Sequence, residues 1–132
     1  MSALAVAIQS LLADPTMTGL VASRVYPLVA PQKADYPNVI VHMIFENEDM
    51  LLAGASEFAE ARVSIECRAK DATTANTLAE RVKDAFRGIQ ERTVSGCIAS
   101  IRKEGTDVSD FTDDASVFRR ILDFYVWWRK AA

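Results

Sequence analysis

Of its 132 residues this chain has one histidine, two cysteines and five scattered glycines, and each scarcity removes a class of chemistry. His42 stands alone among the apolar residues of Val39 to Phe45, so it reads as a structural histidine rather than a general base. A zinc site needs about four soft or imidazole ligands. Only His42, Cys67 and Cys97 are on offer, with no C-x-x-C or H-x-x-x-H spacing, so no metal is expected. Gly19, Gly54, Gly88, Gly96 and Gly105 form neither G-x-G-x-x-G nor a phosphate loop, so no cofactor is expected. Cys67 and Cys97 each sit inside an apolar alternating run, which reads as two buried free thiols in a reducing cytoplasm rather than a secreted disulfide framework.

Positive charge is also short. Fifteen Lys and Arg against eighteen Asp and Glu give a net charge of −3, which argues against a protein that wraps nucleic acid, though not against one that lets it pass. The basic residues are dispersed: Arg81, Lys83 and Arg87 in one place, Arg119, Arg120, Arg129 and Lys130 in another. No stretch approaches the eighteen or so apolar residues of a membrane span. The first residues lack a basic segment, and Gln9, Asp14 and Pro15 interrupt their apolar run, so neither a classical export signal nor a membrane partner is expected.

What remains is an ordinary globular composition, half apolar and a quarter charged, at a length suited to one domain over 1–132. Leu4, Ile8, Leu11 and Leu12 recur at helical spacing behind a Ser2 cap, and Asp14-Pro15 ends the pattern; Thr16 to Ser23 could add a turn. Arg24 to Pro27 reads as a short extended piece. Pro27, Pro31 and Pro37 then make the connection from Leu28 to Pro37 an irregular but stiff arm. Val39, Ile40, Val41, Met43, Ile44 and Phe45 predict a central strand covered on both faces. Phe58 to Arg68 alternates cleanly as a half-buried strand, paired with the first across a long acidic loop, Glu46 to Glu57.

Asp71 caps a helix whose apolar face is Ala75, Leu78, Ala79, Val82 and Phe86, with Gly88 suited to follow it as a C′ residue. Thr93 to Lys103 is a weak strand, Glu104 to Asp114 an acidic loop, and Val117 to Trp128 a long strand. Helices and strands segregate, so the fold class is α+β: an antiparallel β-sheet with helices packed against it, in the order α-β-β-β-α-β-β. On the last strand Tyr125 and Trp127 lie opposite Phe124, Val126 and Trp128. They are covered either by the first helix or the arm, or by a neighbouring subunit.

Ten of the eighteen acids fall in two windows free of Lys and Arg, Glu46 to Glu60 and Glu104 to Asp114. They read as solvated charge rather than as paired catalytic carboxylates. Two such loops on one domain would make a like-sign surface.

The run Arg24-Val25-Tyr26-Pro27-Leu28-Val29-Ala30-Pro31-Gln32, with Tyr36-Pro37-Asn38-Val39-Ile40-Val41 after it, resembles the small tail-completion proteins of long-tailed bacteriophages. In that family a short helix precedes an R-[VI]-Y-P arm ending A-P-Q and an aromatic-Pro-x-[VI]-x-[VI] strand. Phe118 to Trp127 is similar to the family's closing strand. The resemblance implies a tail terminator or head-tail joining protein with no catalytic activity. It would be a homo-oligomeric ring, expected to be a hexamer, at the tail-neck junction of a virion, assembled in the bacterial host cytoplasm.

On that implication its partners are the tail tube protein, the head connector or stopper, and DNA passing without sequence preference through the lumen. Tyr26, Pro27, Pro31, Gln32, Tyr125 and Trp127 are then expected at subunit contacts, so that a charge at Trp127 would leave a folded but monomeric or tail-incompetent protein. Glu46, Glu48, Asp49, Asp107, Asp110, Asp113 and Asp114 are expected on acidic loops facing the channel or an adjoining ring. Two other readings compete. One is another neck or tail-tube component of a phage, prophage or gene transfer agent; a tube subunit would stack into long tubes where a terminator forms single rings. The other is a small non-viral ligand-binding domain, which requires an apolar pocket with convergent polar groups.

Overall fold

The computed structural model describes residues 2–51 and 54–130, and the side chains of all of these except 48–51 and 54–58. Helix α1 spans Ala3–Leu12. Ser2 Oγ accepts the Ala5 N–H at 3.3 Å, the N-cap expected from the sequence. Ala3, Val6, Ala7 and Leu11 are buried and Leu4, Ile8 and Leu12 pack along the edge of the core, so the buried stripe is rotated from the leucine positions toward the small residues between them. Asp14-Pro15 does end this helix, and it also starts another. Asp14 caps α2, Pro15–Val21, its carboxylate accepting from Thr16 N at 2.9 Å with Pro15 in the first turn, where a missing N–H costs nothing.

Six strands follow in one sheet: β1 Val25–Pro27, β2 Asn38–Leu51, β3 Gly54–Ala69, β4 Arg92–Val94, β5 Cys97–Phe111 and β6 Phe118–Lys130. Helix α3, Ala72–Arg87, sits between β3 and β4, its N terminus held by Asp71 accepting from Thr74 N at 2.7 Å. Gly88 ends it with φ −84°, without the left-handed turn for which a glycine was expected. The sheet order is β1-β2-β3-β6-β5-β4; only β1 and β2 are parallel. The α+β class is as the sequence predicts, and β1 is the expected short extended piece, while α2 and β4 are added to the expected order. The expected strand Thr93 to Lys103 is split at Ser95 and Gly96, both at positive φ.

Both acidic windows were expected to be loops, and both are mostly strand. β2 and β3 continue to Leu51 and Gly54 as a two-stranded ribbon, while β6 stops pairing with β3 at Phe58 and Arg129. Beyond that point the ribbon has no sheet to pack on and needs no apolar face, so its strand character leaves no alternation to read. β5 runs through Glu104 to Phe111 by way of a bulge. Four steps along β5 from Lys103 to Asp107 match two along β6, with Gly105 at φ +134° and the Thr106 N–H and hydroxyl both donating to Glu104. Only 112–117 turns the chain into β6.

All three helices cover one face of the sheet. Val39, Val41, Val63, Ile65, Leu122, Phe124 and Val126 point into that layer and are buried. β2 was expected to be central and covered on both faces; it is second from the edge. Val39, Ile40 and Val41 are buried beside β1, but Met43, Ile44 and Phe45 beyond it are 39, 54 and 38% exposed.

Candidate functional site

The sheet face away from the helices carries charge in rows, and it is already paired. Arg62 donates to Asp123 at 2.9 and 2.6 Å and lies 3.4 Å from Glu104. Asp123 is nearly buried beneath it; the hydrogen bond to Asp123 pushes the Arg62 pKa up. Glu66 takes Arg119 at 3.0 Å and stands 3.4 Å from His42, and Arg119 also grips Asp110 through two nitrogens, a contact that raises its own pKa. These pairs follow from register: Arg62, Tyr125 and Arg102 lie at one level across β3, β6 and β5, and Glu66 and Ile121 at another.

Tyr125 and Trp127 belong to this open face, not to the layer under α1. Their rings are 5.8 Å apart, and the Arg102 guanidinium lies 5.5 Å from the Trp127 ring centre. Of the two coverings considered from sequence, the first helix is therefore excluded. The expected contact residues are not one cluster. Tyr26 is half-buried on β1, opposite Ile40, while Pro27, Pro31 and Gln32 are exposed on the arm; β2 and β3 separate them from β6. The arm is stiff through its side chains as well as its prolines. Arg24 Nε donates to Pro37 O at 2.9 Å, and Arg68 donates to the Tyr36 hydroxyl at 2.6 Å.

The acids expected on channel-facing loops occupy several settings. Glu46 is on β2, on the helix side, where Oε2 accepts from Ala3 N and Trp128 Nε1. The Glu48 and Asp49 side chains lie outside the described residues. Asp107 and Asp110 are on β5. Burial works to raise the Asp107 pKa, but the hydrogen bonds from Arg120 and Lys83 win and hold it below the usual carboxylate value. Asp113 is exposed in the 112–117 turn, and Asp114 organises that turn by accepting from the Ser116 hydroxyl and N–H and from the Thr112 hydroxyl, which lowers its pKa to about 2. The β2–β3 ribbon and the 112–117 turn stand at opposite ends of the sheet, so the two windows do not form one acidic surface.

Among the described residues no group of three or more His, Cys, Asp and Glu could hold a metal, and burial pushes the Cys67 thiol up to about 12, far from a nucleophilic thiolate at neutral pH. A hollow of about 390 Å³ lies between Ser10, Asp14 and Arg92, and one of about 240 Å³ between Phe86, Ile101 and Lys103. No helix among the described residues is long and apolar enough to cross a membrane on its own.

Two features of the surface carry no local sequence signal. Past Val41, no strand pairs with the outer edge of β2 among the described residues; past Ala99, none pairs with the outer edge of β5. All seven large apolar side chains exposed among the described residues lie along these edges or beside one of them: Met43, Ile44 and Phe45 on β2, Val108 and Phe111 on β5, Leu28 and Val29 on the arm next to β2.

No protein-family model matches the chain, and no curated protein matches it. Its fold is similar to that of a chain in the virion of a native gene transfer agent (GTA) particle, with a TM-score of 0.72 at 21% identity, covering 97% of this chain and 95% of that one.

Proposed function

We propose that this chain is a structural virion protein, a tail terminator or head-tail joining ring of a phage-like particle. The observation that carries the reading is the fold likeness along nearly the whole length of both chains to a component of a gene transfer agent virion. The arm and closing-strand motifs support it and narrow it to the tail-completion type. The ring, a hexamer on this reading, caps the tail tube, stops its growth and offers its far side to the head connector or stopper. DNA passes through its centre without sequence preference. The work is geometric and electrostatic, with no bond made or broken.

The charge arrangement suits such a passage. A duplex slides more freely past arginines that are kept from gripping phosphate, and Arg62 and Arg119 on the open face are each committed to carboxylates of the same chain. Tyr26 and Pro27 at the end of β1, with Pro31 and Gln32 on the stiff arm after it, are suited to contact a neighbouring subunit with little ordering penalty.

Deleting the gene from a producing strain tests the role. Tails of uncontrolled length and heads left unjoined are expected, with the labelled protein found only at the tail-neck junction of normal particles. Label along the whole tail would instead make it a tube subunit, and normal particles without it would end the proposal.

A further inference from the structure

The two free edges are complementary, and the geometry points to an edge-to-edge joint between copies of this chain, β5 of one adding to β2 of the next. The closure of such a chain of joints into a ring rests on the function proposed above; the joint itself rests on the edges. Within the sheet β2 and β5 run in opposite directions, so copies set side by side in one orientation bring them together antiparallel. The free stretches, Met43 to Leu51 and Lys103 to Phe111, have nine residues each, the second shortened along the strand by its bulge.

They also begin at one level, since Met43 is in register with Val63, Phe124 and Lys103 in turn, and from there they run to opposite ends of the sheet. Overlapping them therefore requires each copy to slide along the strands by about six residues, or ~20 Å at 3.3 Å per residue. The repeating unit β2-β3-β6-β5 is ~19 Å wide at 4.8 Å per strand. That slide tilts the strands by about 45°, the upper end of the tilt that closed barrels require. In this register Met43 faces Phe111 of the next copy. That β5 takes over the β2 edge where β1 leaves off, since Leu28 N donates to Val41 O as the last bond of β1. Leu28, Val29, Met43, Ile44 and Phe45 of one copy then meet Val108 and Phe111 of the other, so every exposed large apolar side chain noted above falls in one joint.

Edge strands are normally guarded by outward charge. Here the described carboxylates of both stretches are turned inward: Glu46 to Ala3 N and Trp128, Glu104 to Thr106, Asp107 to Lys83 and Arg120, Asp110 to Arg119. Lys103 is likewise spent on Thr106 O. A belt built this way places the bulky helices outside and the open face, with its paired charges and Tyr125 and Trp127, on the inner wall.

The test is cross-linking across the joint, in concentrated purified protein and in particles from producing cells. A Met43→Cys and Phe111→Cys double variant treated with a short bis-maleimide, which adds one thiol at each end, should give a ladder of covalent multimers ending in a closed species, and neither single variant should; Cys67 and Cys97 are buried and stay silent. No intermolecular product from the double variant in either preparation overturns the joint. So does a dimer from Met43→Cys alone, which would pair β2 with β2. As a second measure, Ile44→Lys and Val108→Lys should each abolish the assembled form while leaving the monomer's circular dichroism unchanged; retained assembly in both overturns it. A ladder from protein found away from the tail-neck junction would leave the joint standing and remove the terminator role.

Discussion

Glu46 Oε2 accepts two hydrogen bonds of 2.8 Å, from the Ala3 N–H and from Trp128 Nε1, and so ties the first turn of α1 to the end of β6. A carboxylate is well placed at a helix N terminus, where the unpaired N–H groups carry partial positive charge. Glu46→Ala leaves both donors without their partner, one of them on a tryptophan only 7% exposed. Urea unfolding should show a loss of about 3 kcal/mol, two charge-assisted bonds at the lower end of their range. Glu46→Gln should recover part of it. Equal stability of all three proteins would show that the clamp contributes nothing.

Phe86 and Phe124 meet edge to face, ring centres 4.8 Å apart and planes 83° apart, where α3 lies on the sheet. Both are essentially buried. Phe86→Ala removes the ring and leaves a cavity under a helix that cannot collapse onto β6, for an expected cost of about 3–5 kcal/mol. Phe86→Leu should cost less than half of that. A shift in midpoint without a change in denaturant slope would locate the effect in the folded state.

The sequence was legible where one residue type had one physical use. Ser2 and Asp71 are caps because a short acceptor before an apolar period can reach a free N–H, and α1 and α3 lie close to their expected bounds; Asp14 reads only as the end of α1, and its cap on α2 goes unread. Phe58 to Arg68 kept its alternation because one of its faces is buried and the other is wet. Glu104 to Phe111 and the far ends of β2 and β3 were not legible as strand, because a bulge breaks the period in one and the others leave the packed layer. Glu46 was misleading for a related reason: a half-buried clamp and a solvated loop acid are the same letter. The free edges are a property of where β1 and β4 stop, three residues each, which no local pattern in β2 or β5 encodes.

Acid should unfold this protein in a definite window. The Asp114 pKa is about 2 in the folded chain against 3.8 for the free group, because Ser116 and Thr112 donate to its charged form. A group depressed on folding stabilises the fold above its unfolded value, and that contribution disappears as pH falls through the folded one. Asp14, Asp71, Glu104 and Asp107 are shifted in the same direction. Melting temperature should therefore be flat above about pH 5 and fall most between pH 4 and pH 2. Asp114→Asn should melt lower at pH 7 and converge on the parent protein near pH 2; parallel curves would show that this turn does not contribute.

Trp127 separates two pictures of the assembly. If the open face is a contact between subunits, as its aromatic pair alone suggests, Trp127→Glu should give a monomer. If copies join through β2 and β5, Trp127 lies on the inner wall and the substitution should leave the assembly intact. The edge geometry favours the second outcome, since the apolar side chains left in water are at the edges, whereas Trp127 is half-covered by Tyr125 and Arg102. Losing the ring stack and the cation contact should cost about 1–2.5 kcal/mol, well inside the stability of a domain this size, so the variant folds. Sedimentation velocity of Trp127→Glu beside Ile44→Lys should then show an assembled species for the first and a monomer for the second. The reverse pattern would move the subunit contact from the strand edges to the sheet face.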